Sequence, residues 1–504
     1  MSDEPSLREV RLQKLGRMRE LGHDPYRVET FERTDSAKGL LDNFEEGKPV
    51  SFAGRVVSYR LMGKAGFAHL SDGDHKIQGY FRKDDVGEIG WELYNLLDVG
   101  DHVGVTGKLF TTKTGEKSIH VDTVTPLSKA LHNVPIGKEK DGVVFYGLSD
   151  VDQRYRHRHL DLIANADARK ALINRSKIAS SVRRYFDSQG YIEVETPMLQ
   201  LEAGGAAARP FHTHYNAYEI NVKMRISLEL YLKRLICGDI PAVYEIGRVF
   251  RNEGVSNRHL PEFTMLEFYE AYGNLDTMMR RVEEVFSHVA AEVFGSQIVA
   301  MPAREEGGPE ITLDFGKPWR RLDLLGAIEE HAGIDRNELK EFGTAKKAMH
   351  RVGLPTEKEN NLGGIIEKLL EVFVEPTLIE PTFLIGYPIE TSPLAKKDPN
   401  NPRMTRRFEG YVLGREVCNA FSEINDPIDQ RERFEQQLDE RAKGDDEAHP
   451  MDEEFLYALE TGMPPTGGCG IGIDRMAMLL TGSDHIREVV MFPFMKPRKE
   501  AEEE

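Results

Sequence analysis

The sequence predicts an α+β protein in two parts: a small five-stranded β-barrel near the N-terminus and a larger domain built on an antiparallel sheet flanked by helices. Three observations predict it. Between about Val50 and Val124, five strand-like runs (VSFAGRVVSYR, GFAHLSD, HKIQGYF, DHVGVTGKLF and KSIHVDTVTPL) are separated by Gly, Asp and Lys-Thr turns, the pattern of a barrel of OB type. Further on, strand-like segments accumulate, among them FHTHYNAYEINVKMRI, AVYEIGRVF, FTMLEFYEAY, TFLIGYP, FEGYVLGREVCNAFSEI and GGCGIGI. Helices fall between these segments without alternating one for one, which favours an antiparallel sheet over a doubly wound parallel one.

In chain order, residues 1–48 read as a helical extension, because SLREVRLQKLGRMRELGHDPYR sets apolar and basic residues at helical spacing. A solvated amphipathic helix explains this at least as well as an RNA-contacting one. The barrel takes 49–130 and a charged, glycine-containing linker takes 131–165. The second domain runs from 166 to 504. It opens with a helix over Ala166–Ser188, carrying Ile178, Val182, Tyr185 and Phe186 on one face. The helix stops at Gly190, and YIEVETPML then reads as a strand broken at Pro197. Residues of about 320–378 are polar and helical, like an insertion. The end, AEEE, is acidic.

The chain has 504 residues, 40% hydrophobic and 30% charged, which suits a globular protein with a large core. No apolar run is long enough to span a bilayer, so no membrane is expected as a partner. MSDEPSLREV lacks the apolar stretch of a signal peptide, and a cytoplasmic location is expected. Cys237, Cys418 and Cys469 match neither a zinc spacing nor a disulfide framework. A net charge of -18 argues against a general nucleic-acid coat, although a local basic face can still act inside an acidic whole. In the barrel, Arg55, Arg60, Lys64 and Lys76 accompany Phe67, Tyr80 and Phe81, a mixture suited to stacking single-stranded bases. For Tyr80 and Phe81, a place in the barrel core is an equal alternative.

Three segments carry candidate chemistry. In FTMLEFYEAY, Glu267 and Tyr269 share a strand face, while Leu266 and Phe268 share the other. A carboxylate on so apolar a strand needs a cation. In GREVCNAFSEI, Asn419, Phe421 and Glu423 likewise share a face, and RISLELYLKRL adds Glu229. Together these groups would form an acidic pocket for an ammonium ion. The alternative is that each glutamate pairs with an internal Arg or Lys. The second segment is PPTGGCGIGIDRMAMLL, where glycines let backbone approach a ligand and Arg475 opens a helix. With Arg251, Arg258 and His259 it supplies cations for a triphosphate. The third is FEGYVLGRE, whose Glu409 and Glu416 offer hard oxygen ligands suited to Mg²⁺ bridging phosphates.

These segments resemble class II aminoacyl-tRNA synthetases. FRNEGVSNRHLPEFTMLEFYEAY is similar to their motif 2 and GGCGIGIDR to motif 3, and the helix before YIEVETPML, with Pro197, resembles motif 1, the dimer-interface motif. Within the class the resemblance is to the lysyl-tRNA synthetases, through RPFHTHYNAYEINVKMRIS, ELYLKR, TSPLAK, GREVCNAFSEINDP, MPPTGGCGIGIDRM, MGKAGF and RYRHRHLDLI. It covers nearly the whole chain. It implies that 49–130 is an anticodon-binding domain and 166–504 a class II catalytic domain, acting as an ATP-dependent lysine–tRNA ligase with L-lysine, ATP, Mg²⁺ and tRNA(Lys) as partners, and as a homodimer.

By the same resemblance, Arg251 holds the ATP α-phosphate and the substrate carboxylate, and Glu253 reads the adenine amino group. Phe263 and Arg475 sandwich the adenine, with Arg475, Arg258 and His259 near the phosphates. Glu409 and Glu416 ligate Mg²⁺. Gly205, Glu229, Glu267, Tyr269, Asn419, Phe421 and Glu423 form the lysine site, and Arg60, Phe67 and Gln78 read the anticodon. Three positions depart from the family pattern: Leu260 for a usual Asn, Leu228 for a usual Pro and Gly467 for a usual Ala. Rival expectations are an aspartate or asparagine enzyme, which would not want Glu229 and Glu423, a paralogue that lysylates protein, and a non-catalytic RNA-binding relative, which predicts loss of the motif arginines.

Overall fold

The computed structural model describes residues 6–498 except 141–142, 146, 302–309, 358, 360 and 445–446. The opening MSDEP and the acidic AEEE end lie outside the described residues. The chain divides into two compact units, Met1–Arg169 and Lys170–Glu504.

In the first unit, helix α1 (Leu7–Glu20) starts at Ser6, which forms a reciprocal capping box with Glu9. Its basic residues are not all solvated. Arg11 is buried and donates to the Ala130 and His132 carbonyls at 2.7 and 2.6 Å, so that part of the helix is structural. The barrel strands are β1 (Pro49–Met62), β2 (Ala65–Ser71), β3 (Lys76–Arg82), β4 (His102–Thr111) and β5 (Lys117–Ser128), closed in the order β1-β2-β3-β5-β4. Closure leaves no unpaired edge. Phe52, Val56, Leu70, Ile77 and Phe81 fill the interior. Between β3 and β4 lies a helix absent from the sequence expectations, α2 (Lys83–Leu96), whose Leu93 and Tyr94 join that core.

The second unit is built on an eight-stranded sheet. Its strands in chain order are β6 (Ile192–Glu193), β7 (Ala242–Phe250), β8 (Glu262–Ala271), β9 (Arg320–Asp323), β10 (Thr382–Ile385), β11 (Arg407–Val412), β12 (Arg415–Ser422) and β13 (Thr466–Gly472). They lie in the order β9-β10-β11-β12-β13-β8-β7-β6, antiparallel except for the parallel pairs β9–β10 and β6–β7 at the two ends. Helices α3 (Ala166–Ser188), α4 (Glu229–Cys237), α5 (Leu275–Phe294) and α6 (Ile473–Thr481) accompany it. Leu266 and Phe268 of β8, Cys418 and Ala420 of β12, and Cys469 and Ile471 of β13 form one core with α3, α5 and α6. Alternation then turns Glu267, Tyr269, Asn419 and Phe421 to the opposite face, beside α4.

The stretch expected to be helical from residue 320 opens instead with β9, the parallel edge strand of the main sheet, and becomes helical at Leu324. Arg320 and Arg321 are exposed, so this edge carries none of the apolar alternation that marks a strand.

Candidate active site

On the α4 side of the sheet opens a cavity of about 620 Å³. Its wall brings together Gly205, Glu229, Arg251, Glu253, Arg258, His259, Phe263, Glu267, Tyr269, Glu409, Glu416, Asn419, Phe421 and Arg475, drawn from segments up to 270 residues apart in sequence. The charge is divided between two regions of one space.

In the acidic region, Glu267 is 5% exposed. Its Oε1 accepts from the Ser227 hydroxyl at 3.0 Å and the Leu228 N–H at 3.1 Å, and its Oε2 accepts from the Tyr269 hydroxyl at 3.1 Å. Burial, with Glu229 adding to it, pushes its pKa up to about 7 against those hydrogen bonds. Gly205 approaches with φ at +89°, and a Cβ there would stand 2.8 Å from the Ser227 hydroxyl.

Glu423, expected on the same wall, is not on it. It has no exposed surface, and its Oε2 lies 2.9 Å from Lys233 Nζ, which also stands 2.6 Å from Glu229 Oε1. For Glu229 and Glu423 an internal lysine is therefore the resident cation, because Lys233 sits one helical turn after Glu229 on α4 and turns inward. Glu423 Oε1, however, is buried without a hydrogen-bond partner among the described residues. A Cβ on Gly468, which does line the cavity, would fall 2.1 Å from that oxygen. Bare glycine backbone is thus what stands beside the unsatisfied acceptor. Burial pushes the Glu423 carboxyl well above the usual range, with Lys233 opposing.

In the cationic region, the Arg251 guanidinium lies over the Phe263 ring at 5.2 Å. Arg475 Nη1 donates to Glu416 Oε2 at 2.7 Å, and its Nη2 is 3.1 Å from His259 Nε2. Burial and the neighbouring Arg475 lower the His259 pKa, so the neutral ring can accept that bond. Burial would raise Glu416, but Arg475 holds it below the usual carboxylate range. Glu409 accepts from Arg407 at 2.5 Å, Tyr411 at 2.6 Å and Tyr387 at 2.9 Å, and burial pushes its carboxyl up. Asp474 pins the start of α6 to β8 by accepting from the Thr264 N–H at 2.8 Å and from Arg175 at 2.9 Å. Among the described residues, no three or more His, Cys, Asp or Glu side chains are grouped to hold a metal.

The barrel candidates share an outer face. Arg60 pairs directly with Phe67 across β1 and β2, and Phe67 with Tyr80 across β2 and β3, their rings 5.0 Å apart. Tyr80 is half-buried on this face, whereas Phe81 is core. Gln78 differs from the expectation of an amide open to a base. It is 8% exposed, its Nε2 donates to Glu116 at 2.8 Å, and its Oε1 accepts from Ser118 at 2.9 Å.

Residues 150–496 match the family described as tRNA synthetases class II (D, K and N), and residues 50–127 match the OB-fold nucleic acid binding domain. Over 493 residues the chain is 47% identical to the lysine–tRNA ligase of Thermoanaerobacter sp. (strain X514), covering 97% of this chain and 96% of that protein. It is 50% identical over 502 residues to that of Staphylococcus haemolyticus (97% and 98% covered), and 49% identical over 491 residues to that of Carboxydothermus hydrogenoformans (97% and 98%). The chain belongs to the lysine–tRNA ligase family of class II synthetases.

Several residues that shape the cavity were not singled out from the sequence: Ser227, Lys233, Arg407 and Asp474. Lys233 alone had a signal, its spacing of four from Glu229. The three departures from the family pattern are accommodated. Leu260 is buried in the main core. Leu228, unlike proline, has an N–H to give to Glu267. A methyl on Gly467 would meet Met278 at 3.0 Å. Among the described residues, no helix is long and apolar enough to cross a membrane.

Proposed function

We propose that the chain activates L-lysine with ATP to lysyl-adenylate and transfers the lysyl group to the 3′ end of tRNA(Lys). Membership of the family supports the reaction class. The observation that carries the substrate is the acidic region of the cavity: Glu229, Glu267 and Tyr269 stand on the wall that also holds Arg251 and Arg475, and the unsatisfied Glu423 Oε1 lies just behind it at Gly468. An aspartate or asparagine side chain would bring no cation to this region.

In this reading the lysine ammonium groups lie among Glu229, Glu267, Tyr269 and Glu423, with Gly205, Asn419 and Phe421 shaping the pocket. The lysine carboxylate is held by Arg251 and attacks the ATP α-phosphorus. A new carboxyl O–P bond forms as the bond to pyrophosphate breaks. No side chain acts as nucleophile; Arg251 and Arg475 orient the groups and stabilise developing charge on the phosphate. Glu253 and Phe263 receive the adenine, and Arg258 and His259 the outer phosphates. In the second step a terminal ribose hydroxyl attacks the lysyl carbonyl carbon and AMP leaves.

Glu409 and Glu416 fit Mg²⁺ bound together with ATP, since two carboxylates facing one cavity, completed by phosphate and water oxygens, form its usual ligand set. Glu416 adds to the burial that raises the proton affinity of Glu409, a like-charge strain that a cation would relieve. The metal would neutralise phosphate charge. On the barrel, residues 49–130, Arg60 and Phe67 would read the anticodon, and Gln78 after Glu116 has moved aside. The motif 1 segment around α3 and Pro197 would build a homodimer, and sedimentation showing an active monomer would remove that part. Cys237, Cys418 and Cys469 are unpaired, which suits the cytoplasm.

Pyrophosphate exchange tested with each amino acid separately checks the whole reading. Exchange that depends on lysine alone is expected; exchange with aspartate or asparagine in its place would overturn it.

A further inference from the structure

Behind the acidic region lies an ionic cluster that the chemistry above leaves unused. Lys233 has no exposed surface, and its Nζ contacts Glu229 Oε1 at 2.6 Å and Glu423 Oε2 at 2.9 Å. The rings of Phe455 and Phe421 lie 5.1 and 5.9 Å from that Nζ. A buried ion cluster is poor value as a source of stability, because well-packed apolar residues do as well. Its geometry suggests another use. Each carboxylate gives Lys233 one oxygen and keeps the other: Glu229 retains 6% exposure on the cavity wall, and Glu423 Oε1 stays unsatisfied beside Gly468. With all groups ionised, three carboxylates (Glu229, Glu267 and Glu423) and one internal ammonium leave two negative charges, matching the two ammonium groups of lysine.

We propose that Lys233 is a positioning residue of the lysine site, whose buried ammonium holds one oxygen of Glu229 and one of Glu423 from behind so that their other oxygens take the substrate's ammonium groups. The inference rests on the lysine-site reading above. Removing Lys233 strips both glutamates of their common cation, so each binds a proton more readily, and a protonated carboxyl is a poor partner for an ammonium. The loss falls on lysine binding, not on ATP or the chemical step.

The surrounding groups are consistent with this. On α4 itself Glu229 raises the Lys233 pKa, and Lys233 in turn acts on Cys237. From other elements come Glu423, with Glu267 and Tyr269 of β8 beyond it. His449 is held neutral, its pKa lowered to about 4 by burial and then by Lys233, so it does not compete as a cation. Arg407 acts on Glu229 and does not replace Lys233 as its hydrogen-bond donor.

The test compares Lys233→Met and Lys233→Arg in lysine-dependent pyrophosphate exchange across pH. Lys233→Met is expected to raise the KM for lysine by about ten- to hundredfold, with kcat at saturating lysine and the KM for ATP within about threefold of the parent. The acid limb of kcat/KM for lysine should move to higher pH. Lys233→Arg keeps the charge but cannot place one nitrogen between both carboxylates, so its KM rises while its acid limb stays. An unchanged lysine KM in Lys233→Met, or equal losses in kcat and both KM values, overturns the proposal. Should Lys233→Met fail to fold, the arginine variant decides: a raised lysine KM with an unmoved limb supports it, and an unchanged KM overturns it. Glu267→Gln separates the two layers. If it leaves lysine affinity intact, the lysine-site reading falls and this inference with it; if it abolishes lysine binding while Lys233→Met does not, this inference alone falls.

Discussion

Arg475 Nη1 stands 2.7 Å from Glu416 Oε2, so a cation and a carboxylate of the candidate nucleotide site neutralise each other in the free protein. In the proposed reading, ATP bound together with Mg²⁺ would give both new partners at once: phosphate for the arginine and metal for the glutamate. Glu416→Gln should therefore raise the Mg²⁺ concentration needed for half-maximal exchange by at least the roughly tenfold that loss of even an outer metal partner brings. ATP without metal should bind the variant as well as the parent or better, since Arg475 is freed. Equilibrium ATP binding with and without Mg²⁺ checks this, and an unchanged metal requirement would remove Glu416 from the metal site.

Glu267 gives a pH dependence of definite sign. Its pKa in the folded chain, about 7, lies above the ordinary 4.5, so the folded state holds more protons than the unfolded one between those values. Stability contributed at this site is present below pH 4.5 and is lost as pH rises through 7. Lysine binding runs the other way, because an ammonium needs the ionised carboxylate. The kcat/KM for lysine should fall below about pH 7, and kcat, which reports the complex, should hold to lower pH. Glu267→Gln should flatten the stability slope in thermal melts and abolish lysine binding; a variant with the parental pH profile would exclude Glu267 as the titrating group.

On the barrel, Phe67 offers a half-exposed ring against Tyr80. Phe67→Ala should weaken tRNA binding by about 1–3 kcal/mol, the worth of one stacked base. Lysine-dependent exchange, which needs no tRNA, should stay near the parental rate. Gln78→Ala is a different experiment, since it also strips partners from Glu116 and Ser118 and should lower barrel stability. Equal losses of exchange and charging in Phe67→Ala would show that the barrel is not a separate reader.

Much of this was legible in the residues because it is periodic. Five alternating runs with turn residues between them became the barrel, and Ile178, Val182, Tyr185 and Phe186 marked α3. What stayed hidden lacks periodicity. In α2, KDDVGEIGWELYNL mixes charges with two glycines, and in β9 the segment RRLD is an exposed edge. At the site, alternation placed Glu267 and Tyr269 on one face, but it could not tell a wall residue from one just behind the wall. Glu229 and Lys233 at helical spacing look like an ordinary surface pair, and the third member, Glu423, lies 190 residues beyond Lys233. Gln78 shows the same limit: its strand position is readable, but the partners that occupy its amide come from β5 and the turn before it.

Leu228 offers the most discriminating test of how the acidic region is tuned. Its backbone N–H donates to Glu267 Oε1 at 3.1 Å, a bond that the proline usual at this position in the family has no hydrogen to make. Leu228 sits at φ -99°, outside the range a proline ring prefers, so some local adjustment accompanies the exchange. In Leu228→Pro, Glu267 keeps only the Ser227 and Tyr269 hydroxyls, its charged form is less favoured, and its pKa climbs further above about 7. A hydrogen bond to a charged group is worth about 1.5–3 kcal/mol, which at neutral pH should appear as weaker lysine binding. The deficit should shrink as pH rises and the carboxyl ionises in spite of the lost donor. Leu228→Ala is the control, because it removes the same buried side chain while leaving the N–H in place. If the proline and alanine variants show the same lysine affinity at every pH, the N–H of residue 228 does not tune Glu267; if only the proline variant is weakened, and least so in alkali, it does.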